Sequence, residues 1–75
     1  MKYYNFKEIW FKLDDAKTFF EQVTNTHIDK VIIKSTHLGN VQKLHDAAGS
    51  NPDWVEITEQ QYLDAKQLVL GAIAS

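Results

Sequence analysis

The chain has 75 residues and a formal net charge of −2, from ten acidic and eight basic side chains, and 44% of its residues are hydrophobic. That hydrophobic fraction is typical of a globular protein and argues against disorder, while the mildly acidic balance argues against a strongly basic nucleic-acid binder. The chain has no cysteine, which excludes disulfide bonds, and at this length we expect one globular domain, residues 1–75, with a small core.

The first predicted elements are a strand and a helix. Aromatic and β-branched side chains, which suit a pleated surface, dominate residues 3–11 and predict a strand there. The alternative is a helix, because apolar residues from Phe6 to Val23 follow a helical spacing. Acidic residues in a first turn, followed by an apolar stripe, predict a helix over residues 14–25.

A second strand and a short helix are predicted next. Residues 30–35 are predicted to form a strand, and the consecutive β-branched residues 31–33 favour a central position that is buried on both faces. Strand, helix and strand in succession predict a parallel pair with a right-handed crossover. Residues 40–48 are predicted to be a short helix, with Asn40 as its N-cap and Gly49 as its C-terminal stop. The alternative for this segment is a strand.

The C-terminal third predicts a strand over residues 54–57 and a helix over residues 59–74. Thr58 and Gln61 have the spacing of a capping box, which marks the start of that helix. The predicted fold is a small single-domain α/β or α+β unit, with about three strands and two or three helices packed on the sheet. The predicted buried residues are Phe19, Phe20, Val23, Val31, Ile33, Leu44, Val55, Ile57, Leu63 and Val69.

Few residues have a pattern that is typical of catalysis or metal binding. His37 and His45 lie too far apart for a shared chelate on a helix, and His27 precedes a different element. Asp14 and Asp15 are neighbours at a predicted helix start, where acids favour the helix dipole. The sequence has no nucleophile motif and no glycine-rich phosphate loop. We therefore predict no catalytic, cofactor-binding or metal-binding residues, no cofactor, and a protein that is not an enzyme.

Two segments supply candidate interaction residues. Tyrosine and tryptophan, which are enriched at interface hot spots, are concentrated near the N-terminus. The predicted C-terminal helix is apolar nearly all round, and a small sheet covers only one side of it, so residues 68–73 are expected to contact a partner or a second copy of the chain. The candidate interaction residues are Tyr3, Tyr4, Trp10, Leu68, Leu70 and Ile73.

These features favour a non-enzymatic protein-interaction module, an accessory or inhibitor protein that acts by binding and occlusion. Its expected partner is another protein or, as a homodimer, a second copy of the chain. One alternative is a weak single-stranded nucleic-acid binder, in which Lys2, Lys7 and Lys12 alternate with aromatic residues, although the acidic balance disfavours nucleic acid. A further alternative is a small enzyme subunit whose site is shared across an oligomer.

The sequence also predicts the compartment. No apolar run approaches the roughly 20 residues that a membrane-spanning helix needs. The first residues carry charge too early for a signal peptide, and no small-residue cleavage site follows them. We therefore expect no membrane contact and a cytoplasmic location.

Overall fold

A single antiparallel sheet carries both helices in the computed structural model, which describes residues 1–74. In chain order the elements are strands β1 (Lys2–Phe6), β2 (Ile9–Leu13), β3 (Phe20–Asn25) and β4 (Lys30–Ser35), helix α1 (Leu38–Ser50), strand β5 (Val55–Ile57) and helix α2 (Glu59–Ala74). The five strands are ordered β4-β3-β2-β1-β5, and each neighbouring pair is antiparallel. The fold class is therefore α+β, and the prediction of about three strands was too low.

The N-terminal half contains two corrections. The single strand predicted over residues 3–11 is two strands, β1 and β2, joined by a turn at residues 7 and 8 in which Lys7 has a φ of 54°, and the helical alternative is wrong. The helix predicted over residues 14–25 is wrong, because residues 14–19 form a turn and β3 follows. The carboxylate of Asp14 accepts the backbone amides of Thr18 and Phe19 at 2.9 and 3.1 Å and so closes this turn.

Strand β4 has the predicted bounds but a different place in the sheet. It lies at one edge and runs antiparallel to β3, so the predicted central position and parallel crossover are wrong. The connection between the two strands explains the difference. The backbone amide of Thr26 donates to the carbonyl of Asp29 at 2.9 Å, which closes a tight hairpin. A connection this short can join only antiparallel strands.

The helix predicted over residues 40–48 is confirmed as α1, which extends beyond those bounds at both ends, and the strand alternative is wrong. Its cap differs from the prediction, because the ring Nδ1 of His37 accepts the amide of Asn40 at 3.2 Å. Gly49 lies inside the helix and does not end it, and Asn51 forms the C-cap. The helical hydrogen bonds therefore continue to the residue before the only proline, Pro52.

The C-terminal elements agree closely with the prediction. Strand β5 begins one residue after the predicted start at residue 54, and α2 spans residues 59–74, as predicted. The capping box is confirmed: the hydroxyl of Thr58 accepts the Gln61 amide at 3.1 Å, and the Gln61 side-chain oxygen accepts the Thr58 amide at 2.9 Å. Neither helix in the described part of the chain is long and apolar enough to cross a membrane.

The two helices cover opposite faces of the sheet. Successive side chains of a strand point to opposite sides, so a single strand contributes to the packing beneath both helices. On β2, Trp10 packs with the cluster beneath α2, whereas Phe11 belongs to the cluster beneath α1. The first cluster contains Tyr3, Val23, Tyr62 and Val69, and the second contains Phe11, Leu13, Phe20 and Val41.

The predicted core is correct in its centre and wrong at its margins. Of the predicted residues, Phe20, Val23 and Val69 are buried, and Phe19, Leu44 and Ile57 are half-buried. Val31, Ile33, Val55 and Leu63 are exposed by 40%, 46%, 57% and 40%. The first three lie on the edge strands β4 and β5, and Leu63 lies on the outer side of α2. Edge position explains most of this difference.

Candidate interaction surface

Helix α2 exposes large apolar side chains on both flanks of its buried stripe: Leu63 and Leu70 lie on one flank, Leu68 lies on the other, and Ile73 lies one turn after the buried Val69. Leu68 is 70% exposed, Ile73 is 54% exposed, and Leu63 and Leu70 are each 40% exposed. The stripe between the two flanks, formed by Tyr62, Ala65 and Val69, is buried against the sheet. Three of the six predicted interaction residues therefore lie on one exposed helix, and their role in binding stays a prediction.

The three predicted aromatic residues lie elsewhere. Tyr3 is buried, and its hydroxyl donates to the Glu59 carboxylate at 2.8 Å. Trp10 is half-buried in the cluster beneath α2. Tyr4 is half-buried on the opposite face of the sheet, with its ring centroid 6.1 Å from that of Trp54. The structure therefore does not bring these aromatics and the α2 leucines into one patch.

The three lysines of the N-terminal segment do not line a single groove. Lys2 pairs with Leu13 at one end of the β1–β2 hairpin, and Lys7 lies in the turn at the other end. Lys12 pairs with Tyr3, so it lies on the opposite face of the sheet from Lys2. Binding of single-stranded nucleic acid through this segment stays an untested prediction.

A polar network holds α2 on the sheet. Oε1 of Glu21 on β3 accepts the Tyr62 hydroxyl at 2.6 Å and the Lys66 ammonium at 2.9 Å. Burial raises the pKa of Tyr62 far above its usual value, and the hydrogen bond to Glu21 and the charge of Glu21 raise it further. Burial alone would raise the pKa of Glu21, but the hydrogen bonds from Tyr62 and Lys66 and the charges of Lys66 and Lys12 outweigh it and lower this pKa. Glu21 is therefore ionised at neutral pH, and it fixes which side of α2 faces outward.

Strand β4 is the longer of the two edge strands, and no strand within residues 1–74 pairs with its outer side. Thr26 and Asp29 lie opposite each other and form a hydrogen-bonded pair. Along an antiparallel ladder, every second pair of opposite residues is hydrogen-bonded in this way, and the pairs between them are not. Even-numbered residues of β3 therefore bond to odd-numbered residues of β4. The β2–β3 ladder agrees, because the Asn25 amide donates to the Glu8 carbonyl at 2.9 Å and so directs the odd-numbered residues of β3 toward β2.

The outward backbone groups of β4 follow from this phase. The N–H and C=O groups of Lys30, Ile32 and Lys34 point away from β3 along the open edge. The three side chains lie on the α2 face of the sheet, since Ile32 packs against the cluster beneath α2. The side chains of Val31 and Ile33 lie on the other face and are exposed by 40% and 46%. The lysines at both ends of the apolar run are the sequence signal for this edge, because natural edge strands often carry lysine.

The neighbouring carboxylates at residues 14 and 15 do not form a shared site. Asp14 is buried, and it accepts the Thr18 hydroxyl at 2.6 Å as well as two backbone amides of the turn. Burial alone would raise the pKa of Asp14, but the hydrogen bonds from Thr18 and Phe19 outweigh it and lower this pKa. Asp15 is exposed. Asp14 therefore has a structural contact that accounts for its position.

The three histidines are dispersed. His37 caps α1, His27 is exposed, and His45 lies half-buried on α1 with no hydrogen-bond partner for its buried Nε2. Within residues 1–74, no group of three or more histidine, cysteine or acidic side chains is arranged to hold a metal ion. The same residues enclose no pocket.

Comparisons with known proteins do not add to this description. A scan of protein-family models and searches of curated proteins and solved structures found no match to the chain. The roles proposed below therefore depend on the geometry of the chain's own residues.

Proposed function

We propose that this protein is a non-enzymatic interaction module, which binds another protein and covers part of its surface. The observation that carries the proposal is the set of exposed apolar side chains on α2, namely Leu63, Leu68, Leu70 and Ile73. On a protein this small, such a group marks a contact site or else is a liability for aggregation. A chain without cysteine is also suited to the reducing cytoplasm, where we place it.

The anchoring of α2 supports this role. Tyr62 is 1% exposed and Val69 is fully buried, so the inner side of the helix is held by packing as well as by the Glu21 network. A helix fixed in this way presents its outer side chains in one orientation. Less conformational entropy is then lost when a partner binds.

A second copy of the chain is one candidate partner, since it would cover the same leucines. A foreign protein is the other. Sedimentation of the purified protein at tens of micromolar distinguishes the two candidates, because only self-association raises the mass above that of the monomer. Both involve the same surface, and a substitution on the outer side of α2 therefore tests both.

We expect Leu70→Glu to weaken binding at least about tenfold. An apolar contact that buries an unpaired carboxylate loses more than the roughly 1.4 kcal/mol that corresponds to a factor of ten. The measurement is affinity capture from a cell extract, quantified by mass spectrometry, together with sedimentation of parent and variant.

The matched control is Leu38→Glu. Leu38 is 66% exposed at the start of α1, where an acidic side chain favours the helix dipole. The control is expected to capture the same proteins as the parent, and circular dichroism should show the parental fold for both variants. If the parent is monomeric and Leu70→Glu captures the same proteins in the same amounts, the α2 contact is wrong.

A further inference from the structure

We propose that the open edge of β4 binds an extended segment of another protein by strand addition, and that this segment alternates acidic with apolar side chains. The proposal rests on the proposed function, since it names a class of partner for an interaction module. It involves a surface separate from the outer side of α2. The tests of the two surfaces can therefore fail independently.

The backbone of β4 supplies the first argument. The N–H and C=O groups of Lys30, Ile32 and Lys34 point outward, and nothing else in residues 1–74 pairs with them as a strand. A row of such groups is a template for one more strand, and main-chain hydrogen bonds provide affinity in this mode of recognition. The opposite edge is a weaker template, because β5 has only three residues.

The side chains of β4 supply the second argument, because directly opposite residues of paired strands lie on the same face. Lys30 and Lys34 lie on the α2 face, and Val31 and Ile33 lie on the other. An incoming strand with acidic residues opposite the two lysines, and apolar residues opposite Val31 and Ile33, matches both faces. The alternation of the partner's sequence follows from this pattern.

The ammonium groups of both lysines contact residues that neighbour β4 in the structure. The ammonium of Lys34 lies 4.8 Å from the ring centroid of Phe19. The ammonium of Lys30 donates to the backbone carbonyl of Thr26, in the hairpin that precedes β4. Two positive charges on the same face of the edge strand, four residues apart, favour an acidic partner over a basic one.

The same lysines disfavour a second copy of the chain on this edge. Antiparallel pairing of two β4 strands about Ile32 would bring Val31 opposite Ile33 on one face. On the other face, it would bring Lys30 opposite Lys34 at both ends of the pairing. Like charges in directly opposite positions destabilise a pair of strands, so the foreign segment is the better match.

The test uses fluorescent peptide probes and anisotropy with the full chain. The acidic probe is acetyl-Ser-Glu-Val-Thr-Ile-Glu-Ser, in which the glutamates face Lys34 and Lys30 in an antiparallel pairing. The basic probe has lysine at both glutamate positions. A third probe has the acidic sequence with N-methyl groups on the amides of both glutamates and the threonine, which removes its strand-pairing donors. We expect the acidic probe to bind at least about tenfold more tightly than either of the others.

A charge-swap variant makes the test specific to the edge. Lys30→Glu with Lys34→Glu should reverse the preference, so that the basic probe binds more tightly than the acidic one. The control, Lys2→Glu with Lys43→Glu, makes the same change in net charge at exposed positions outside β4 and should keep the parental preference. Circular dichroism confirms that both variants are folded.

Several results would overturn the proposal. These are equal binding of the acidic and basic probes, undiminished binding of the N-methylated probe, or no binding of any probe at millimolar concentration. A parent that dimerises, and that binds the probe less as its own concentration rises, would show that a second copy occupies the edge.

If Leu70→Glu loses captured proteins while the probes fail to bind, only the β4 proposal is wrong. If the probes bind as expected while Leu70→Glu changes nothing, only the α2 contact is wrong.

Discussion

Replacing Trp54 with alanine is expected to lower the free energy of unfolding by about 3 kcal/mol, at the low end for the loss of a large aromatic side chain because Trp54 is half-buried. Its ring is stacked on that of Phe11, with centroids 4.3 Å apart and an interplanar angle of 13°. The rings of Phe6 and Tyr4 lie 6.0 and 6.1 Å away. Trp54 precedes β5 and extends the cluster that α1 only partly covers, so alanine would open this side of the sheet to water.

Urea unfolding of parent and variant measures the effect, with Trp10 as the remaining fluorescent reporter. The control is Trp54→Phe, which keeps a ring on Phe11 and so keeps most of the roughly 0.5–1.5 kcal/mol that an aromatic pair contributes beyond area burial. Its smaller ring buries less surface, and the variant is expected to lose only about 1 kcal/mol of stability. A Trp54→Ala protein whose unfolding midpoint matches that of the parent would mean that the stacked cluster does not stabilise the fold.

Replacing Glu21 with alanine is expected to cost about 2–3 kcal/mol, because the hydroxyl of Tyr62 and the ammonium of Lys66 would both lose their acceptor. The matched control is Glu56→Ala on β5, which removes an exposed glutamate and should change stability by less than about 0.5 kcal/mol. Equal effects of the two substitutions would contradict the role of the network in holding α2.

The same network predicts a pH dependence. The pKa of Glu21 is lowered in the folded protein, so its contribution to stability is present above the unfolded pKa and is lost as the pH falls through the folded pKa. The stability difference between the parent and Glu21→Gln should therefore be largest at neutral pH and shrink below about pH 4, near the reference pKa of glutamate. A difference that stays constant down to pH 2 would contradict the lowered pKa.

The features that the sequence predicts well are those with a local cause. The start of α2 follows from the capping box of Thr58 and Gln61, whose two hydrogen bonds depend only on neighbouring residues. The exposure of Leu68 and Leu70 follows from the helical period, once one side of α2 is assigned to the sheet. These leucines are the part of the candidate site that sequence reasoning could reach.

The features that the sequence does not predict depend on long-range packing. The spacing of Phe20 and Val23 fits one side of a helix, but the same two residues pack on opposite faces of a sheet that is covered on both sides. The turn at Asp14 reverses the chain, so that Leu13 pairs with Phe20. Likewise, the apolar run in β4 is typical of a central strand, and only the strand order places it at the edge.

Residue-resolved amide hydrogen exchange across β4 tests most directly the claim that this chain offers an open, alternating edge for binding. The amides of Lys30, Ile32 and Lys34 should exchange at least about tenfold faster than those of residues 31, 33 and 35, which bond to β3. Addition of the acidic probe should slow the exchange of the first set and leave the second unchanged. Uniform protection along the strand in the free protein, or faster exchange at residues 31, 33 and 35, would contradict the open edge on which the account depends.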